Sequence, residues 1–66
     1  MSEGVVCRLE TTLKDGTKLF VYEMGKQYAV CTIIEGSFGC KIFDTYSGMR
    51  KALKRKYGLK VGFRDD

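Results

Sequence analysis

The chain of 66 residues contains no histidine, no proline and no tryptophan. Without histidine it has no Ser-His-Asp or Cys-His group for catalysis and no imidazole ligand for a metal ion. A chain of this length is expected to form one domain, residues 1–66, with no room for a separate substrate domain or a Rossmann fold. We therefore expect a protein that is not an enzyme and that uses no cofactor and no metal ion.

Long apolar segments are also missing. The longest uninterrupted apolar run is four residues, Leu19 to Tyr22, whereas a helix that spans a bilayer needs about 20. The first residues, Met1 to Gly4, provide neither the basic region nor the apolar region of a secretory signal. At 44% hydrophobic and 30% charged residues, the composition is typical of a globular chain. We expect a cytoplasmic protein without a membrane partner.

Cysteines are few, and their number is odd. Cys7, Cys31 and Cys40 include no C-x-x-C pair, and no histidine completes a zinc site. An odd number also argues against a fully paired disulfide framework. The sequence therefore predicts reduced cysteines that are buried as small hydrophobic side chains.

Glycine-containing dipeptides divide the first two thirds of the chain into short segments that are rich in β-branched and aromatic residues. Asp15-Gly16 is typical of a hairpin turn, and Gly25-Lys26 and Gly36-Ser37 suit turns with glycine at the first central position. The sequence therefore predicts an α+β fold in which a four-stranded antiparallel meander precedes one basic amphipathic helix. The predicted strands span about 4–14, 17–24, 27–35 and 38–43.

Alternation with a period of two assigns the strand side chains to two faces of the sheet. The face that bears all three cysteines, here called the cysteine face, is predicted to comprise Cys7, Leu9, Thr11, Leu13, Phe20, Tyr22, Met24, Ala29, Cys31, Ile33, Phe38, Cys40 and Ile42. The predicted Arg8–Glu23 cross-strand pair lies on the opposite face, where opposite charges suit a solvated surface.

The opposite face also carries six apolar residues, which are Leu19, Val21, Tyr28, Val30, Ile34 and Phe43. They could be scattered surface hydrophobes, which are common. A sheet with one solvated face normally alternates more cleanly than this, however. We therefore interpret the six as a protein interface for a partner or for a second copy in a homodimer.

The period of the apolar residues changes from 2 to 3.6 after residue 44. Apolar residues then form one stripe at i, i+3, i+7 and i+11, namely Tyr46, Met49, Leu53 and Tyr57. Asp44 or Thr45 can cap the start of a helix, and Gly58 suits a left-handed residue after its end. The sequence predicts a helix over about 45–57, packed on the cysteine face.

Alternating apolar residues follow the predicted helix. Leu59, Val61 and Phe63 alternate with polar residues or glycine. The pattern fits two arrangements of residues 59–64, a short fifth strand or a docked tail.

Charge is distributed unevenly along the chain, whose net charge is +4. Residues 1–44 carry five basic and six acidic side chains, a net charge of −1, whereas residues 45–66 carry seven basic and two acidic ones, a net charge of +5. The seven are Arg50, Lys51, Lys54, Arg55, Lys56, Lys60 and Arg64. The helix dipole favours bases in the last turn, but it disfavours Arg50 and Lys51 in the first half of the helix.

The basic segment favours contact with the phosphates of DNA or RNA, because clustered basic side chains bind phosphates and release their condensed counterions. Arg50 and Arg55 could each form a forked contact with guanine, but specific reading of nucleobases has less support, because the chain has no asparagine and its one glutamine, Gln27, lies in a turn. Tyr28, Phe43 and Tyr46 are candidates for stacking on bases. At the level of fold alone, four strands followed by one helix resemble the single-stranded-DNA-binding coactivator type, which works as a dimer.

Two alternatives use a protein partner instead of nucleic acid. The first is a compact inhibitor or adaptor, such as a mobile element encodes, whose basic residues dock on an acidic or nucleic-acid-binding groove of another protein. The second is a purely structural subunit whose opposite sheet face is buried in an assembly.

Overall fold

Four antiparallel strands and one helix follow one another in the computed structural model, which describes residues 4–63. The strands are β1 (Val5–Thr12), β2 (Lys18–Met24), β3 (Gln27–Ile34) and β4 (Ser37–Phe43), and they are followed by α1 (Tyr46–Tyr57). They form one sheet in the order β1-β2-β3-β4. The predicted α+β fold, a meander followed by a helix, is confirmed. Within residues 4–63, no helix is long and apolar enough to cross a membrane.

The turn between β3 and β4 lies one residue earlier than predicted. Ile34 pairs with Ser37, so the two turn residues are Glu35 and Gly36, with φ angles of 49° and 82°. Positive φ at both positions is the mark of a type I′ turn, whose twist matches that of the strands. The change moves each pairing by two residues, so the side chains of β4 stay on their predicted face.

The turn between β1 and β2 is longer than the two residues predicted. Thr12 pairs with Lys18, and the backbone N–H of Leu13 donates to the carbonyl of Thr17 at 2.8 Å. Within the loop, a carboxylate oxygen of Asp15 accepts from the backbone N–H of Thr17 at 2.9 Å, which lowers the pKa of Asp15 below its ordinary value. The longer loop shifts the adjoining register by one residue, which moves side chains to the other face.

Three residues of β1 and its loop therefore leave the predicted cysteine face. Leu9 and Thr11 pair with Val21 and Leu19, and Leu9 and Leu13 pack against the buried core of the opposite face. A β-bulge between Cys7 and Leu9 restores the predicted face for Cys7, which pairs with Tyr22.

Arg8 lies at the bulge and forms the one ion pair seen among the described residues. The Arg8 guanidinium Nε lies 2.7 Å from a carboxylate oxygen of Glu23. The Arg8–Glu23 contact predicted from the sequence is therefore present.

The helix packs on the face opposite the cysteines, which reverses the prediction. The core comprises Leu19, Val21, Tyr28 and Val30 of the sheet, Tyr46, Met49 and Leu53 of α1, and Val61 of the tail. We call this side of the sheet the helix face. Four of the six residues predicted as a protein interface are thus core residues, because the apolar stripe of α1 covers them. Of the other two, Phe43 is half-buried against this core and Ile34 is exposed at its margin.

Caps fix both ends of α1. The Thr45 hydroxyl accepts from the backbone N–H of Gly48 at 3.0 Å, and Gly58 adopts the left-handed conformation with φ of 70°. The Gly58 N–H donates to the carbonyl of Lys54 at 2.9 Å. Thr45 and Gly58 therefore act as the sequence predicts.

The tail after α1 is docked and, over the described residues 59–63, forms no strand. Val61 is buried in the core, and its carbonyl accepts from the Arg50 side chain at 2.7 Å. The backbone N–H of Phe63 donates to the Tyr46 hydroxyl at 3.0 Å. These contacts hold the tail against the first half of the helix.

The state of the cysteines differs from the prediction of three buried thiols. Cys31 and Cys40 face each other on β3 and β4 and form a disulfide. Cys7 is free and exposed. The sequence reading missed the pair because its β3–β4 turn, placed one residue late, put Ile33 opposite Cys40.

Alanine substitutions on the two faces test which face carries the helix. We expect Leu19→Ala to lower the free energy of unfolding by about 2–5 kcal/mol, because it leaves a cavity under α1. Ile42→Ala on the cysteine face should lower it by about 1 kcal/mol or less, since that side chain is already half exposed to water. Urea unfolding followed by circular dichroism at low protein concentration measures both. Equal losses would contradict the assignment of the faces.

Candidate nucleic-acid interface

The bases of α1 lie on the side of the helix that faces away from the sheet. Because Tyr46, Met49 and Leu53 are buried against the sheet, most of the remaining positions of the helix are exposed, and only Gly48, Ala52 and Tyr57 are half-buried. The exposed bases are Arg50, Lys51, Lys54, Arg55, Lys56 and, in the tail, Lys60. The first turn of α1 contains no acidic residue. The seventh predicted base, Arg64, lies outside the described residues.

A cleft between α1 and the tail brings four of these bases together. It is lined by Ser47, Arg50, Lys51, Lys54, Leu59, Lys60 and Val61 and has a volume of about 220 Å³. None of the lining residues is acidic. We call it the basic cleft. Lys60 joins it only because the tail folds back along the helix, with Val61 buried in the core.

Arg50 has two roles in the basic cleft. Its Nε donates to the carbonyl of Val61 at 2.7 Å, and its guanidinium carbon lies 5.7 Å from the centre of the Tyr46 ring. The hydrogen bond uses one of the five N–H donors of a guanidinium. Arg50 therefore holds the tail in place and also contributes charge to the cleft.

A second groove lies between α1 and β4, on the other flank of the helix. It is lined by Val30, Thr32, Gly39, Cys40, Lys41, Phe43, Ala52, Arg55, Lys56 and Tyr57 and has a volume of about 510 Å³. We call it the aromatic groove. Its three charged residues are all bases, and its floor is mainly apolar. The small side chains of Thr32 and Ala52, and Gly39 with none, leave that floor open.

Lysines lie over both aromatic rings of this groove. The Lys41 ammonium is 5.5 Å from the centre of the Phe43 ring, and the Lys56 ammonium is 5.7 Å from the centre of the Tyr57 ring. Both lysines are exposed and both rings are half-buried. The groove therefore presents ring faces and cations side by side, which suits a ligand that is both planar and anionic.

The stacking candidates predicted from the sequence are only partly available. Tyr28 and Tyr46 are buried in the core, where their rings and that of Phe63 form one cluster with centres 5.2–6.2 Å apart. Phe43 lines the aromatic groove as a stacking residue must. Tyr57 lines it too, although the sequence reading assigned Tyr57 only to the apolar stripe of the helix.

The described residues 4–63 were also compared with the side-chain groups that hold metal ions. They include no group of three or more cysteine, aspartate or glutamate residues placed to hold a metal ion.

Comparison of the chain with protein-family models, with curated proteins and with solved structures finds no match in any of the three. We therefore infer function from the chemistry of the two grooves.

Proposed function

We propose that the protein is a non-catalytic nucleic-acid-binding protein that contacts phosphates through α1 and the tail. The observation that carries this proposal is the basic cleft, in which Arg50, Lys51, Lys54 and Lys60 converge without an acidic neighbour in the lining. Basic side chains that converge in this way bind a phosphate backbone and release its condensed counterions.

Repulsion along the helix supports the same proposal. Arg50 and Lys54 are separated by four residues, as are Lys51 and Arg55, so each pair of like charges faces the same side of α1. Such pairs destabilise a helix by about 0.2–0.5 kcal/mol each. A bound polyanion relieves this repulsion, whereas no acidic side chain of the basic cleft does so in the free protein.

Contacts with phosphates position a protein without reading sequence. Neither groove contains an asparagine or glutamine side chain. The amide of Gln27 donates instead to a carboxylate oxygen of Asp44 at 3.0 Å. We therefore expect affinity to depend strongly on salt and weakly on sequence.

The aromatic groove favours single strands over duplexes. An unpaired base can stack on Phe43 or Tyr57, and each stacked base contributes about 1–3 kcal/mol in single-strand binding proteins. The bases of a duplex are stacked on one another and cannot enter the groove. Lys41, Arg55 and Lys56 are placed to meet the phosphates on either side of such a base.

Charge reversal in the basic cleft tests the proposal. We expect the combined change Lys51→Glu, Lys54→Glu and Lys60→Glu to abolish micromolar binding to random-sequence oligonucleotides at low salt. Arg50 is kept because it holds the tail. For the unchanged protein, fluorescence anisotropy against salt concentration should give a log–log slope of about −3 or steeper on duplex DNA.

A matched control reverses three lysines elsewhere. Lys14, Lys18 and Lys26 are exposed residues near the first two turns, and replacing them with glutamate changes the net charge by the same amount. This control should retain most of the binding and its slope. Equal losses in both variants would show that only net charge matters. If the unchanged protein binds neither DNA nor RNA at low salt, the proposal is wrong and an acidic protein partner takes its place.

Filling the aromatic groove tests the preference for single strands. No atom lies within 4 Å of a Cβ placed at Gly39, so Gly39→Leu should fold normally and occupy the groove. We expect it to weaken binding to oligo(dT) about tenfold or more, as loss of one stacked base implies, and to leave duplex binding unchanged.

Two leucine variants separate stacking from simple blocking. Phe43→Leu and Tyr57→Leu keep apolar volume but remove the ring faces, and both should weaken oligo(dT) binding while duplex binding is retained. Unchanged oligo(dT) affinity in all three variants would contradict a role for the groove.

A further inference from the structure

The cysteine face of the sheet is left open, because α1 and the tail both pack on the helix face. Large apolar side chains on it are exposed to water. They are Val5 (58% exposed), Ile33 (36%), Phe38 (68%) and Ile42 (49%). Phe20, Tyr22 and Met24 beside them are only half-buried. An apolar area of this extent on a small protein marks a surface that meets a partner.

Charge is confined to one corner of this face. By the observed register, Glu10 and Lys18 near the β1–β2 loop are the charged residues that point to this side from β1–β4. The half formed by β3 and β4 has no charged side chain on this face. Over this half of the face a nucleic acid or an acidic protein has no charge to recognise, so the complementary surface must itself be apolar there.

The relief of the face is a valley between two ridges. Along most of its length β3 contributes small side chains, Ala29 and Cys31, which are buried between their neighbours, and only its end near the β3–β4 turn carries an exposed larger one, Ile33. On one side rise Phe20 and Tyr22 of β2, whose rings stack with centres 6.3 Å apart. On the other side rises β4, with the strongly exposed Phe38.

A second copy of the same face fits this relief. A two-fold axis parallel to the strands, lying between the two sheets and over the space between β2 and β3, places the β2 ridge of each copy over the β3 valley of the other, so that all four strands of each copy overlap. Twisted sheets pack in this face-to-face manner at about −30°. The surface is thus self-complementary, as a symmetric interface requires.

The charges of the chain do not oppose this pairing. The basic cleft and the aromatic groove lie on the helix side, and the Cα atoms extend 15 Å along the shortest axis of the molecule. Two copies joined through their cysteine faces hold their basic surfaces on opposite outer sides. That separation exceeds the Debye length of about 8 Å at physiological ionic strength, so the net charge of +4 repels weakly.

The area of the face sets the expected strength. Four strands at about 4.8 Å spacing and about 25 Å in length cover roughly 450 Å², or roughly 900 Å² for two copies. Specific interfaces begin at about 1,000 Å² in total. The area therefore predicts a reversible dimer with a dissociation constant in the micromolar range or above.

We propose that the cysteine face binds a second copy of this chain and forms a symmetric dimer with the two sheets packed face to face. The interface lies on the other side of the sheet from the six residues that the sequence indicated. It does not depend on nucleic-acid binding, so either proposal can fail without the other.

Two adjacent isoleucines provide a matched test. Ile33 and Ile34 are 36% and 37% exposed, but successive strand residues point to opposite faces, so only Ile33 belongs to the cysteine face. Sedimentation equilibrium from micromolar to millimolar concentrations measures association, with Cys7→Ser in every variant to exclude dimers linked through that thiol. We expect Ile33→Glu to weaken dimerisation at least tenfold and Ile34→Glu to leave it unchanged.

Phe38→Ser serves as a second variant on the cysteine face. Its side chain is too exposed to support the fold, so loss of dimer there cannot reflect unfolding, and circular dichroism checks each variant. An unchanged protein that stays monomeric at millimolar concentration would overturn the proposal. The same conclusion would follow if Ile33→Glu and Phe38→Ser dimerised as the unchanged protein does.

Discussion

Burial of the apolar stripe of α1 on the helix face is the interaction on which the rest of this molecule depends. Leu19 and Val21 in the sheet and Met49 and Leu53 in the helix are almost completely buried by it. Because the helix is held by this side, its basic positions are turned outward. Because the tail follows the helix, Val61 enters the same core and carries Lys60 to the basic cleft.

Much of this fold could be predicted from local signals. The turn at Gly25-Lys26, the order of the elements and both helix caps depend on short stretches of sequence, such as Thr45 with its acceptor hydroxyl and Gly58 with its left-handed backbone. Which face the helix covers is a tertiary question. Alternation shows which residues share a face, but both faces of this sheet are apolar, so alternation does not show which one is buried.

The two turns that were placed wrongly had unequal consequences for the predicted faces of the sheet. A loop of five residues around Asp15 moved Leu9 and Leu13 to the other face, since a shift of one reverses the pleat. The turn at Glu35 and Gly36 left the faces unchanged, yet its placement decided whether Cys31 met Cys40. A positive φ at glutamate is uncommon, so nothing in the sequence favoured that turn over one starting at Gly36.

The basic residues of the candidate site could be predicted from the sequence, but the two grooves that they line could not. A run of basic residues can be recognised in a sequence without knowing which other segments it contacts. The six such residues that the structure describes are all exposed. The two grooves depend on contacts between distant segments, so neither Lys60 beside Lys54 nor Tyr57 across from Gly39 could be foreseen. Arg50 shows the same limit, because its charge does not indicate that its side chain donates a hydrogen bond to the carbonyl of Val61 in the tail.

The sheet separates two surfaces that would interfere if they were adjacent. If basic side chains lay beside the apolar interface, dimer formation would remove water from them or bring them close to the same side chains of the second copy. Both effects disfavour association. Here the apolar face and the basic grooves lie on opposite sides of a two-layer molecule. In a dimer formed through the cysteine faces, the grooves point outward in opposite directions, so a short oligonucleotide reaches only one of them. Only a strand long enough to pass around the dimer contacts both, and for such a strand binding and dimerisation strengthen each other by the same free energy.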